Sequence, residues 1–125
     1  MLNRHQIREK LVFVLYQHLL LKKDLYACFN DNFEDQVDDF SKTIINDISN
    51  NIDTYISDIS SLLKGWSFDR LNYVDQGILI VAASEISLNI NDKAIAIDEA
   101  VRLCKTYSDE ESFKYVNGVL DKLWI

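Results

Sequence analysis

Lys114 and Tyr115 stand side by side in the segment Lys114-Tyr115-Val116-Asn117-Gly118-Val119-Leu120-Asp121-Lys122. An aromatic ring next to a cation can stack an unpaired base and touch its phosphate, as single-strand binders do. The pair fits equally well as a rim aromatic over a core beside a solvated lysine. Gly118 falls in the middle of what its spacing predicts to be an amphipathic helix. A mid-helix glycine costs about 1 kcal/mol relative to alanine, so close approach of a neighbouring helix is expected there.

The other end of the chain carries Arg4, His5, Arg8 and Lys10, diluted by Glu9. Arg4 and Arg8 are spaced to share one helix face. Cations at a helix N-terminus oppose the macrodipole, which tilts the reading from an ordinary charged helix start towards an anion or phosphate site. Tyr16, deeper in the same helix, reads as a core tyrosine. Asp75 opens a core helix, where complementarity to the dipole suffices to explain it. Trp66 and Trp124 read as packing residues at the ends of elements.

Catalysis finds little support. His5 and His18 lack a matching nucleophile, and no GxSxG, HExxH or P-loop is present. The carboxylates at Asp98-Glu99 and Asp109-Glu110-Glu111 fit solvated faces and caps. Cys28 and Cys104 are the only cysteines, without a CxxC or zinc-ligand spacing, and fit free thiols in a reducing cytosol. No enzymatic activity, metal or cofactor is expected.

These side chains must be held by a scaffold, and the chain of 125 residues is long enough for one domain, 1–125, with a real core. Nearly half is apolar, and the net charge is −7. A bare acidic domain is a poor nonspecific binder of nucleic acid or anionic membrane and suits a basic partner. A nucleic-acid site must be a local basic patch or be completed by a basic protein. No signal peptide is visible, and the apolar runs Leu11–Tyr16 and Ile78–Ala83 are too short to span a bilayer; a cytoplasmic location is expected.

With no proline, three glycines and no hairpin turn, the pattern predicts an all-α fold. A first helix is expected over Arg4 to Leu21, apolar nearly all round in its middle and therefore buried. Leu25 to Asp35 fits a short helix or a packed loop. From Gln36 a stripe from Val37 to Leu63 predicts one long helix, or two joined near Asn50-Asn51, ended by Gly65 as the C′ residue. Ser67 is a candidate cap for a short turn through Leu71. A second core helix follows over Val74 to Leu88, then another over Ala94 to Tyr107 with Asp92 as its cap. Ser108-Asp109-Glu110-Glu111 has the form of a capping box opening a last helix with the stripe Phe113, Val116, Leu120 and Leu123. Six or seven helices in a compact orthogonal bundle are expected, with no internal repeat.

Four segments stand in order, Arg8 to Gln17, Trp66 to Leu71 with Val74-Asp75 and Ile78-Leu79, Ala96 to Val101, and Lys114 to Asp121, and together they resemble the NusB family of bacterial antitermination factors. Arg8-Glu9-Lys10-Leu11-Val12-Phe13-Val14-Leu15-Tyr16-Gln17 resembles its opening. Trp66-Ser67-Phe68-Asp69-Arg70-Leu71, followed by Val74-Asp75 and Ile78-Leu79, resembles its centre. Ala96-Ile97-Asp98-Glu99-Ala100-Val101 is similar to its Ala-Ile-Asn-Glu-Ala-Val block, and Lys114 to Asp121 to its Lys-Phe-Val-Asn-Gly-Val-Leu-Asp end. Residues 22–60 are the weakest part.

The resemblance implies two packed helical subdomains and no enzymatic activity. It implies binding, together with the ribosomal protein NusE, to single-stranded boxA RNA in nascent rRNA transcripts, and assembly with other Nus factors on RNA polymerase. It places Arg4, His5, Arg8, Tyr16, Lys114 and Tyr115 at the RNA, with Glu111 nearby, and Asp75 facing NusE. Departures are a thinned N-terminal arginine run, Asp98 for Asn, Ile80 for a common Arg, and no proline before the Ala-Ile block. A module that binds NusE without RNA is the competing expectation. The fold also serves as the RNA-binding domain of rRNA cytosine methyltransferases, but no cofactor-binding segment follows here, so methylation by this chain is not expected. A homodimer stays open.

Overall fold

The computed structural model describes residues 1–109 and 111–124, and these form six α-helices and no strand. The first helix, α1 (Arg4–Leu21), has the predicted bounds. Asn3 caps it reciprocally with Gln6, each side chain accepting the other's backbone N–H. Lys22 ends it in the left-handed region at φ 55°. The ambiguous stretch is a helix, α2 (Leu25–Phe33), because Asp24 accepts the Ala27 N–H at 3.0 Å and Leu25, Cys28, Phe29 and Phe33 bury one face. The long stripe is one continuous helix, α3 (Asp39–Ser60), opened by an Asp38–Ser41 capping box. No break occurs at Asn50-Asn51; the Asn51 amide bonds back to the Asp47 carbonyl at 3.0 Å within the helix.

Gly65 is not the C′ residue expected of it. The helix closes at Ser61, and Gly65 serves the following turn at φ 78°. Phe68–Arg70 form a single 3-10 turn, in which Ser67 gives no side-chain cap bond. The central helix α4 (Tyr73–Leu88) is capped by Asn72, and every residue from Asp75 to Glu85 is buried. Next come α5 (Lys93–Tyr107), whose Asp92 makes no side-chain cap bond, and α6 (Ser112–Lys122). The Ser108 capping box does not open α6. Ser108 closes α5, and Glu111 takes the N-cap position of α6 without a side-chain cap bond. Glu110, part of that expected box, lies outside the described residues, as does Ile125.

Helices α1, α2 and α3 pack together, as do α4, α5 and α6, and the two groups join where α4 packs against α1 and α3. One hydrophobic cluster draws on all six helices. The α1–α4 crossing is close because Gly77 faces α1. A Cβ there would lie 3.1 Å from the Val12 carbonyl oxygen and 3.4 Å from Leu15 Cβ. That contact was expected at Gly118, where the space within 4 Å of an added Cβ is empty. Gly118 therefore carries its propensity cost without compensating contact. Gly118→Ala is expected to raise stability by about 1 kcal/mol in denaturant titrations; a loss would reveal a neighbour at this position.

Polar rivets complete the core. Asp47 of α3 accepts hydrogen bonds from Tyr55 and from Ser84 of α4, both at 2.6 Å. Burial, and then the bond to Asp47, push the Tyr55 hydroxyl up to about 12. Lys93 donates to the Asp121 and Leu123 carbonyls at 3.0 and 2.7 Å, satisfying the end of α6. Trp124 packs on Tyr55 and donates to Asp58 at 2.9 Å, as an end-packing residue should. Trp66 does not; it is 62% exposed. No helix among the described residues is long and apolar enough to cross a membrane.

Candidate nucleic-acid interface

The candidate residues fall at two stations along α4. The rise of a helix puts its Asp75 and Glu85 about 15 Å apart, and each anchors one station.

At the Glu85 end lies the start of α1. Arg8 and Arg4 do share a face, but Arg8 turns inward while Arg4 stays exposed. The Arg8 guanidinium donates twice to Glu85, with both bonds at 2.8 Å, and both side chains are buried. Arg8 is thus a core ion pair and not a solvent-facing phosphate contact. The exposed Arg4 guanidinium lies 3.9 Å from the centre of the Phe40 ring, a stacked cation with its edge open to solvent. His5 bonds Glu99 through Nδ1 at 2.8 Å, and Glu99 also lies within 4 Å of Arg8 and Arg102. Sequence reasoning missed both Glu85 and Glu99 as counter-charges. Glu99 belongs to a recognised block, but nothing in its spacing ties it to α1. Lys10 turns away to the Asn32 carbonyl at 2.8 Å.

At the Asp75 end α4, α5 and α6 converge. Tyr115, on the first turn of α6, is half-buried, and its hydroxyl donates to the Asp75 carboxylate. Burial, then this hydrogen bond, hold the hydroxyl above the ordinary phenol range. Asp75 itself is fully buried. As placed, it offers no surface carboxylate to a partner protein. It also takes the Cys104 thiol at 3.7 Å, and burial followed by this negative neighbour push that thiol up to about 12. Cys104 is therefore a neutral, unreactive thiol at physiological pH.

Above Asp75 opens a cleft of about 370 Å³, walled by Tyr115, Trp66, Arg70, Asn72, Asp109 and Glu111 among others. Lys114 and Glu111 flank it as an exposed pair at 2.9 Å, a contact of little strength that leaves the ammonium accessible. Tyr16 is half-buried on α1 and meets Tyr73, the first residue of α4, edge to face at 6.5 Å. Trp66, Arg70 and Tyr73 were not singled out as site residues. Only the solvent exposure of Trp66 and Tyr73, which a sequence does not display, marks them.

The structure thus puts Tyr115 and Glu111 in the wall of one cleft, leaves Lys114 exposed next to them on α6, and leaves Arg4 and His5 at the far end of α4. Chemically, the cleft offers aromatic faces for stacking, an arginine for phosphate, and carboxylates able to accept from an exocyclic amine.

The sequence profile of the NusB family matches residues 5–124. The transcription antitermination protein NusB of Sulfurovum sp. is 35% identical, over 98% of both chains. That of Listeria innocua is 32% identical, over 95% of this chain and 94% of its own. Among solved structures, T. maritima NusB superposes with a TM-score of 0.88 at 30% identity, covering 98% of this chain and 90% of that one. A structure of the antitermination factors NusB and NusE in complex with dsRNA gives a TM-score of 0.85 at 27% identity, over 97% and 95%. The family profile and the structural likeness both span nearly the whole chain, and the chain belongs to the NusB family.

Proposed function

We propose that this protein is a transcription antitermination factor that binds single-stranded boxA-type RNA together with NusE, and joins other Nus factors on RNA polymerase. The observation that carries the proposal is its likeness, over 97% of this chain, to a NusB solved with NusE and dsRNA; the single-stranded target is inferred from the stacking rings of the cleft. The cleft at the start of α6, with the Trp66 and Tyr115 rings and Arg70 in its wall, supports it. In this reading Lys114 and Arg4 meet phosphates, and Tyr115 and Tyr16 stack on bases. His5 and Glu111 lie along the RNA path, and Arg8 and Asp75 act from beneath as supports. The charge of −7 suits a basic ribosomal protein, since complementary charge speeds encounter.

A second reading, an interaction module with little RNA binding of its own, is favoured by the internal pairing of Arg8 with Glu85 and of His5 with Glu99. Size-exclusion chromatography of the chain with NusE, with and without a short boxA-like RNA, tests the proposal. A ternary peak containing all three components is expected. A stable complex with NusE that never takes up RNA supports the second reading, and no complex with NusE contradicts both.

A further inference from the structure

We infer that Asp75 is a positioning residue: from beneath the surface it clamps the ring of Tyr115 in the orientation that walls the cleft, and so preorganises this face for a base of single-stranded RNA. The inference rests on the proposed RNA function of the cleft.

A fully buried carboxylate is costly unless it is paired. Arg8 supplies that pairing for Glu85, but among the described residues no lysine, arginine or histidine forms an ion pair with Asp75. Its oxygens are met by neutral donors: the Tyr115 hydroxyl, the Asn72 amide at 3.1 Å and the weakly donating Cys104 thiol. The Asp75 backbone N–H in turn donates to the Asn72 side chain at 2.8 Å. Asn72 continues to Ser108 at 3.1 Å, and Ser108 to Ser112 at 3.0 Å, so the network spans the corner between α4, α5 and α6.

Asp47 also accepts from a tyrosine and a serine, but Tyr55 is a core residue. Tyr115 differs because its ring is half-exposed and walls an open cleft. Its Cα is fixed on α6 and its hydroxyl on α4, so both ends of the side chain are held. A ring held in place before binding loses less freedom on stacking, which favours affinity without a new contact.

The test uses the full chain with a short single-stranded boxA-like RNA as probe, read by fluorescence anisotropy. Ring-labelled tyrosine NMR reports the mobility of Tyr115, and far-UV circular dichroism checks folding. Asp75→Ala is expected to mobilise the Tyr115 ring and weaken RNA binding about fivefold, and Asp75→Asn, which keeps an acceptor oxygen, to stay within about twofold of the parent. Tyr115→Phe removes the same bond from the other side and is expected to weaken binding as Asp75→Ala does. The double variant should be no worse than either single one. If Asp75→Ala proves too unstable to assay, Tyr115→Phe by itself still carries the binding test.

An unchanged Tyr115 ring in a folded Asp75→Ala variant, RNA binding by Tyr115→Phe equal to that of the parent, or losses that multiply in the Asp75→Ala/Tyr115→Phe double variant, would overturn the inference. If Tyr115→Ala binds RNA as the parent does, the RNA reading of the cleft fails instead, and the ring data then judge the clamp by itself.

Discussion

Arg8→Ala is expected to lower the folding stability by about 3–5 kcal/mol, the range for breaking a buried ion pair from one side. For a chain of this size that corresponds to a fall in Tm of about 10–20 °C. The cause is what remains: Glu85 is 2% exposed and would keep only the Asn91 amide at 3.3 Å. Replacing both partners, as in Arg8→Met with Glu85→Leu, removes the stranded charge, and stability should return to within about 2 kcal/mol of the parent. Calorimetry of the three proteins checks the pattern. Because Arg8 does not face solvent, the double variant should also keep the salt dependence of RNA binding. A slope reduced by about one would mark Arg8 as a phosphate contact after all.

Tyr115→Ala should weaken binding of single-stranded RNA by about 1–3 kcal/mol if the ring stacks on a base. This corresponds to roughly a 5- to 150-fold rise in Kd. Helicity should change little, because the buried stripe of α6 is Val116, Val119 and Leu120, and these stay in place. The half-buried ring and the stranded Asp75 will cost some stability. Binding must therefore be compared at a temperature where both proteins are folded. Unchanged binding with a lower Tm would make Tyr115 a core residue only.

Helical periodicity made the helices legible, and it did so well where the pattern was strongest. The limits of α1 follow from its apolar middle and its polar ends. The single long α3 follows from an unbroken stripe from Phe40 to Ile59, which no pair of asparagines was strong enough to interrupt. Periodicity assigns residues to faces but does not say what each face meets. That is why Arg4 and Arg8 were placed together yet read as outward, although Glu85, 77 residues further on, turns Arg8 inward.

The same limit exchanged the two helical glycines. The propensity cost drew attention to Gly118, while the residue in contact was Gly77, hidden in a helix buried on every side. Local cap rules failed at Ser108 for a related reason. The hydroxyl that would have capped α6 is bonded to Asn72 and to Ser112, a tertiary choice that four consecutive residues cannot reveal. Of the candidate site, Lys114 and Tyr115 were legible as a pair. Asp75 was legible only as an acid at a helix start, since its bond to Tyr115 spans 40 residues.

The most direct test of an RNA-binding antitermination role is an anisotropy titration of the full chain with a short boxA-like RNA and a scrambled control. It should be run with and without cognate NusE, at low and physiological salt. Binding that NusE strengthens, that salt weakens and that the scrambled RNA does not reproduce is the predicted result. Binding of NusE with no RNA affinity in any condition would contradict it, leaving a protein interaction module and withdrawing Arg4, Tyr115 and Lys114 as RNA contacts.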